Sequence, residues 1–160
     1  MTTATVLAFL EGKDNHIHPL KGLEYCDWQM AGTRVGKSPN TIFQILNHII
    51  YWQDLFLDRI GGEDRPSPDL PSVGWPGDAS PANQEAWAQA VEKFREGFEK
   101  AAGLAASRDL DEVLPTFRGM TCAESLVFLA QHNNHHIGQI ITLCQVLGYW
   151  PAPDDTWGDY

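Results

Sequence analysis

Three histidines stand within five positions of this chain, where residues 132–140 read HNNHHIGQI. The apolar residues around them recur with helical spacing, which predicts that all three lie on one amphipathic helix. A neutral imidazole is a common ligand of protein-bound metal ions, because its unprotonated nitrogen offers a lone pair. The pattern therefore raises two hypotheses, a metal site or a polar helix surface, and the direction of each side chain decides between them.

The helical phase separates the three side chains. At about 100° per residue, His136 falls well inside the apolar face, His132 lies at its edge one turn earlier, and His135 points away. We predict that His132 and His136 face the interior and that His135 faces solvent or a partner subunit. One inward histidine is most simply a core residue with a single hydrogen bond. Two on one inner face are harder to satisfy without a metal, because each ring has two nitrogens to pair.

A third histidine comes from an earlier helix. In the segment SPNTIFQILNHIIYWQDLFLDRI, His48 lies at the edge of the apolar face, one turn from Trp52. It lies about ten residues into its helix, or roughly 15 Å at 1.5 Å per residue, while His132 and His136 lie roughly 16–22 Å into theirs. These similar depths predict that the three histidines meet near the middle of a helical bundle.

Other polar and aromatic side chains have two interpretations each. Gln139 lies on the side of His132, where it either orients a metal ligand or is simply solvated. Glu24 and Asp27 fall on the inner side of the first helix, where a carboxylate is a general base or a fourth ligand. The simpler interpretation is that both carboxylates lean to the interface, or that the helical phase assigned to this segment is wrong. Trp52 is more simply a core residue than a platform for substrate, and no residue is assigned as the general base.

Four helical segments account for most of the chain. Ser-Pro pairs at positions 38–39 and 80–81 predict two helix starts, and the capping-box spacing of Thr121 and Glu124 predicts a third. Whether residues 3–11 extend the first helix or form a separate turn is open. The predicted helices run over residues 19–35, 40–60, 81–106 and 121–148. This pattern predicts an all-α four-helix bundle and a single domain over residues 1–160.

The segments outside these helices carry fewer signals. Residues 61–82 are rich in proline and glycine and are predicted to form a loop, either a lid over a site or a crossover between the second and third helices. No segment reads as a strand of alternating residues. The tail, residues 150–160, has no helical pattern and is expected to pack on the bundle or across a dimer contact.

Charge and composition exclude several classes of partner. The chain has 21 acidic and 11 basic side chains, for a net charge of −10, which argues against binding to nucleic acid or to an anionic membrane surface. No apolar run approaches the roughly 18 residues of a membrane span. Three cysteines without a CxxC spacing indicate neither a disulfide framework nor a thiolate metal site. We expect a cytoplasmic protein.

The histidine motif, read with its surroundings, resembles the DinB/YfiT family of metalloenzymes. The resemblance rests on the pattern H-x3-H-x-G-Q, on SPNTIFQILNH and the loop after that helix, on GMTCAESLVFLAQH, and on the helix ending LGYWP. It implies a four-helix bundle that is often a homodimer, with a crossover between the second and third helices. It also implies a divalent metal bound by the positions matching His48, His132 and His136. Relatives include thiol-dependent transferases, a maleylpyruvate isomerase that uses a thiol cofactor, and hydrolase-like members.

Three imidazoles leave metal coordination positions for water or substrate, as in catalytic rather than structural zinc sites. Zinc is the first choice, with nickel and iron as alternatives, because imidazole suits all three. We expect thiol S-transfer, in which a low-molecular-weight thiol is joined through its sulfur to a small electrophile. The alternatives are hydrolysis of a small ester or amide by metal-bound water, and a metal-binding module without turnover.

Overall fold

The computed structural model describes residues 1–13 and 17–149, so the tail discussed above lies outside the described residues. Helices dominate, which confirms the all-α prediction. The α-helices are α1 (Thr3–Glu11), α2 (Pro19–Glu24), α3 (Trp28–Ala31), α4 (Ile42–Ile60), α5 (Gln84–Ser107) and α6 (Cys122–Val146). Within the described ranges, none of these helices combines the length and apolarity needed to cross a membrane.

Short elements complete the fold. Two 3-10 helices cover Pro71–Gly74 and Pro115–Phe117. Strands β1 (Val113–Leu114) and β2 (Met120–Thr121) pair antiparallel in a small hairpin just before α6. The sequence pattern did not predict these strands, because two residues are too few to show an alternation of apolar and polar side chains.

The apolar core consists of two clusters, and each long helix contributes one half to each cluster. The first cluster includes residues 42–50 of α4, 87–94 of α5 and 137–144 of α6. The second includes residues 55–60 of α4, 98–105 of α5 and 122–130 of α6. The order of these ranges means that α4 and α5 run in the same direction and α6 runs against both. The connection between α4 and α5 must therefore return along the bundle, which confirms the predicted crossover.

The first leg of the bundle is broken, so the prediction of one helix over residues 19–35 is wrong. Asp27 explains the break, because its carboxylate accepts a hydrogen bond from the backbone N–H of Met30 at 2.7 Å and thereby caps a new helix, α3. Residues 3–11 form a separate helix, α1, which packs in the second cluster, whereas α2 and α3 pack in the first. Together these three short helices run antiparallel to α4 and complete the four-helix bundle.

The helix starts differ in detail from the prediction. The Ser-Pro pairs do not cap helices, since the Ser38 hydroxyl donates to the Asn40 carbonyl and Ser80 donates to the Gly32 carbonyl. Thr41 caps α4 and Asn83 caps α5, a few residues later in each case. The capping box formed by Thr121 and Glu124 at the start of α6 is confirmed.

The crossover segment, residues 61–83, is fastened to α4 along its length. The Arg65 guanidinium contacts the Asp58 carboxylate at 2.8 Å, and the Arg59 guanidinium donates to the Arg65 carbonyl at 2.7 Å. At the other end of α4, the Thr41 hydroxyl donates to the Ala79 carbonyl. Of the two interpretations of this loop, the crossover link is the one that the topology requires.

A layer of buried polar side chains lies near the junction of the two apolar clusters. His48, Gln53, Asn133 and His136 are all at least nine-tenths buried there. The Gln53 amide donates to the Phe94 carbonyl of α5 at 3.1 Å and accepts from the Asn133 amide of α6 at 2.9 Å. Gln53 therefore ties the three long helices together beside the histidines.

This bridge predicts the effect of a methyl group at Gly97. A Cβ at this position of α5 would lie 1.9 Å from the Gln53 side-chain nitrogen, so the buried amide would have to leave its hydrogen bonds. We expect Gly97→Ala to lower the free energy of unfolding by about 1–3 kcal/mol, measured by urea denaturation. The matched control is Gly103→Ala in the same helix, where no atom lies within 4 Å of the added Cβ. The control should gain about 0.5–1 kcal/mol from helix propensity. Equal stability of the two variants would contradict the proposed bridge.

Candidate metal centre

The structure brings the three predicted histidines together. His48 from α4 and His132 and His136 from α6 each offer one ring nitrogen, and these nitrogens lie within 4.8 Å of one another. The ring centroid of His136 lies 4.6 Å from that of His48 and 4.6 Å from that of His132. His136 is buried and His135 is exposed, as the helical phase predicts. A cluster of this kind could hold a divalent metal ion.

Two of the rings are oriented by hydrogen bonds at Nδ1. His48 Nδ1 lies 2.9 Å from the Gly74 carbonyl oxygen, which only accepts, so this nitrogen carries the proton. His136 Nδ1 lies 2.8 Å from the side-chain oxygen of Gln139 and donates to it. In both rings the lone pair therefore sits on Nε2, the nitrogen available to a metal.

The third ring, that of His132, has one buried nitrogen, Nδ1, without a hydrogen-bond partner among the described residues. Burying an imidazole without pairing its nitrogens is unfavourable by a few kcal/mol. A bound cation would offset part of this cost by taking a lone pair from the ring, so the orphaned histidine fits a metal site better than a closed apolar core.

The electrostatics keep the cluster neutral. Burial lowers the pKa of His48 to about 4, with a further lowering from the charge of His136. Burial also lowers the pKa of His132 to about 4, helped by the charges of His136 and His48. The pKa of His136 is lowered as well, mainly by burial. Near neutral pH the rings therefore present lone pairs rather than positive charges, as metal ligation requires.

Gln139 orients His136, which decides between its two interpretations. Its amide oxygen accepts from His136, and its amide nitrogen lies 3.3 Å from Nε2 of His135. An amide that donates toward His135 must turn its oxygen toward His136. His135 is exposed, and its 3.3 Å contact with Gln139 is longer than the 2.8 Å hydrogen bond from His136, so His136 is the main partner of Gln139.

The crossover segment contributes two residues that the sequence pattern did not identify. The Trp75 ring stacks on His48 with centroids 3.8 Å apart and planes within 14°. Gly74 supplies the carbonyl that fixes His48, and a Cβ there would lie 2.7 Å from the Trp52 ring nitrogen, so only glycine lets the backbone approach this closely. Neither role has a periodic signal, because both residues lie in a loop rich in proline and glycine.

The two acidic side chains considered as bases or ligands are not part of the histidine cluster. Glu24 is exposed, and exposed Asp27 caps α3. The interpretation of either residue as an inward carboxylate is wrong, because α2 ends at Glu24 and the phase of a continuous first helix does not apply.

An aromatic cavity of about 460 Å³ opens beside the cluster. Its lining residues come from α4, the crossover, the hairpin and α6, and are His48, Trp52, Phe56, Arg59, Ser67, Trp75, Phe117, Arg118, Phe128 and His132. Trp52 is half-buried, and it packs against the second apolar cluster while also lining this space. The volume lies in the range of small-molecule sites.

A second groove, of about 560 Å³, lies between α1 and α6. His135, Gln131 and the exposed Phe9 line it, but none of the three clustered histidines does. Of these two spaces, the aromatic cavity is the one that reaches the histidine cluster.

Comparison with known proteins agrees with this geometry. The model of the DinB superfamily matches residues 15–140, which include all three clustered histidines. No curated protein and no solved structure matches the chain.

The lowered pKa values predict how stability depends on pH. Histidines in the unfolded chain titrate near pH 6.5, whereas His48 and His132 have a pKa of about 4 in the fold. Between about pH 6.5 and about pH 4 the unfolded state therefore binds more protons, so the stability of the metal-free protein falls as pH is lowered through this window. Above about pH 6.5 these two rings contribute no pH dependence.

Thermal denaturation in the presence of a chelator, from about pH 7 to about pH 5, measures this dependence. The double variant His48→Gln, His132→Gln should show a shallower fall in melting temperature than the unaltered protein, because glutamine does not titrate. Carboxylates are common to both proteins and cancel in the comparison. Identical slopes would show that the two rings titrate alike in the folded and unfolded states.

Proposed function

Since this chain belongs to the DinB superfamily, we propose that His48, His132 and His136 bind one divalent metal ion and that the protein joins a low-molecular-weight thiol, through its sulfur, to a small electrophile, with loss of the thiol proton. The observation that carries this proposal is the meeting of three neutral imidazoles beside an aromatic cavity. Zinc is the first choice, with nickel and iron as alternatives, because imidazole does not discriminate among them.

A divalent ion with three imidazole ligands keeps open positions and favours the ionised form of a thiol bound there. Residues of the protein orient the metal ligands and hold the electrophile. Gly74 and Gln139 hold two rings with Nε2 free, and Trp75 covers one face of His48. The cavity binds the electrophile and keeps it close to the sulfur, which lowers the entropic part of the barrier.

The cavity lining favours thiol transfer over hydrolysis. Among the described residues that line it, none is a carboxylate, and Glu24 and Asp27 are exposed. A thiol ionises near pH 8.5 even when free, so a metal suffices to deprotonate it and its proton can leave to solvent. Water is a far weaker acid, and its attack on an ester or amide gains more from a general base. The size of the cavity also favours turnover of a small molecule over a metal-binding module.

A reducing compartment suits this chemistry, and we propose the cytoplasm. The three cysteines are buried free thiols, with the sulfurs of Cys26 and Cys144 2.9 Å apart. Low-molecular-weight thiols are kept reduced in the same compartment. A homodimer and a small-molecule substrate remain predictions, as does the absence of nucleic-acid and membrane partners.

The first prediction from this proposal concerns metal content. His48→Ala, His132→Ala and His136→Ala should each lose most of the metal found by elemental analysis of protein purified without an affinity tag. Gln139→Leu removes the hydrogen bond to a ligand and should weaken metal affinity by about 10- to 100-fold.

The matched control is His135→Ala, which removes the exposed histidine next to His136 and should keep its metal. Circular dichroism checks that each variant is folded. Full occupancy in His136→Ala, or loss in His135→Ala, would show that the ligand set is misassigned.

The second prediction separates the reaction classes. Conjugation of a low-molecular-weight thiol to a small electrophile should be catalysed by the metal-loaded protein and abolished by chelation, and ester or amide hydrolysis without thiol should be absent. Thiols are screened against a panel of electrophiles by mass spectrometry. Metal-dependent hydrolysis without thiol would instead establish the alternative enzyme.

Cobalt substitution gives a readout that does not depend on finding the substrate. The visible spectrum of the cobalt form should change when a thiol is added, because a thiol enters an open coordination position. A saturated coordination sphere that no thiol or anion perturbs would contradict both enzymatic functions and favour the binding module.

A further inference from the structure

The aromatic cavity carries a charge opposite to that of the whole protein. The chain has a net charge of −10, yet the cavity lining includes two arginines, Arg59 and Arg118, and no acidic side chain among its described residues. A local field of this sign attracts an anion that the rest of the surface repels.

The two arginines differ in whether their guanidinium groups have hydrogen-bond partners among the described residues. Arg59 is half-buried and already used, since its guanidinium donates to the Arg65 carbonyl at 2.7 Å and to the Ser67 hydroxyl at 2.9 Å. Arg118 is exposed, and in the described part of the chain its guanidinium makes neither a hydrogen bond nor an ion pair. A free guanidinium presents a planar set of donors that matches a carboxylate.

The backbone at Arg118 is unusual. Its φ is 61°, and it is the single non-glycine residue with positive φ among the described residues. It ends the 3-10 helix Pro115–Phe117 and precedes Gly119, whose φ is 74°. Glycine fits such a position and side chains rarely adopt it, so an arginine held there at the rim of a cavity points to a use for its side chain.

The walls of the cavity select the body of the ligand. Phe56, Phe117 and Phe128 form a triangle with ring centroids 5.3–5.8 Å apart, and Trp52 lies 5.6 Å from Phe56. Rings in tilted and edge-to-face arrangements offer edges and faces to a flat apolar group. His48 and His132 line the same space, so such a group would lie against the proposed metal centre.

We propose that this cavity binds a planar organic carboxylate, an aromatic or conjugated acid, and that Arg118 binds its carboxylate while the phenylalanines hold its apolar body. The inference rests on the proposed function, since it names the chemical class of the electrophile. Arg59 acts at longer range by adding positive charge to the wall.

Isothermal titration calorimetry of the full-length protein tests this with 2-naphthoate and its uncharged analogue 2-naphthamide. Naphthoate should bind about tenfold or more tightly than the amide, and Arg118→Gln should remove that preference. Arg118→Lys should keep part of it. The matched control is Arg95→Gln, which removes an arginine of α5 that pairs with Glu92 and does not line the cavity.

Arg118→Gly tests whether a loss of binding reflects loss of the fold. Glycine relieves the left-handed backbone, so this variant should melt at least as high as the unaltered protein and still lose the preference for naphthoate. Equal binding of naphthoate and naphthamide, or binding of neither, would overturn the proposal. So would a preference that survives Arg118→Gln but disappears on chelation, because the carboxylate would then be bound by the metal.

A carboxylate could also belong to the thiol, and 3-mercaptopropionate tests that source. If its affinity depends on Arg118 and that of naphthoate does not, the arginine serves the thiol and the assignment to the electrophile is wrong. Chelated protein separates this inference from the proposed function. Arg118-dependent binding of naphthoate that persists in chelated protein would support the cavity assignment independently of the metal. If the metal-loaded protein binds naphthoate in this way but conjugates no thiol, the cavity assignment stands and the transferase is contradicted.

Discussion

Placement of three imidazole rings, two buried and one half-buried, within an apolar helical bundle is the constraint on which the rest of this structure depends. In water both nitrogens of each ring would form hydrogen bonds, and inside the bundle these bonds must be replaced. Burial also makes the positively charged form of each ring unfavourable. The bundle supplies hydrogen-bond partners to some of these ring nitrogens and not to others. Gly74 and Gln139 pair with one nitrogen each on His48 and His136, whereas His132 keeps a buried nitrogen without a partner among the described residues. A neutral, preoriented and incompletely satisfied cluster of this kind could hold a divalent cation.

The bundle topology and the site are connected through one segment. Because α4 and α5 run in the same direction, the chain between them must travel back along the bundle, and its path passes over the histidines. That path brings the Gly74 carbonyl and the Trp75 ring against His48. The ion pair of Arg65 with Asp58 fastens the same segment to α4. A shorter connection would allow an antiparallel pair of helices but would leave His48 without its partner.

Two arginines give the lining of the cavity positive charge, whereas the chain as a whole is acidic. An acidic protein repels anions, so an acid reaches this space only where local positive charge outweighs the surrounding field. The hairpin between α5 and α6 supplies that charge, because it holds Arg118 in a conformation that glycine usually occupies. With the proposed metal on the opposite wall, one flat acid would contact the cationic rim and the aromatic walls together. This arrangement agrees with thiol transfer, in which the electrophile needs to be held but no general base is required.

Sequence alone determined the features that depend on local periodicity. The phase of α6 separates His136 from His135, the capping box at Thr121 starts that helix, and the apolar pattern places His48 inside α4, because all of these follow from 3.6 residues per turn. The periodic pattern gave a wrong helix prediction where a side chain interrupts the helix. Asp27 starts a new helix in the middle of the predicted first one, so Glu24 and Asp27 turn outward rather than toward the histidines.

Only the tertiary structure decided what the loops do. Gly74, Trp75 and Arg118 have no periodic signal, and their positions depend on the parallel course of α4 and α5 and on the turn before α6. The bridging role of Gln139 depends on the rotamers of two neighbouring histidines, which spacing along a helix does not specify. The metal-ligand candidates were thus readable from the chain, whereas the residues that orient them and line the cavity required the packing of elements distant in sequence, since long-range contacts leave no repeat to detect.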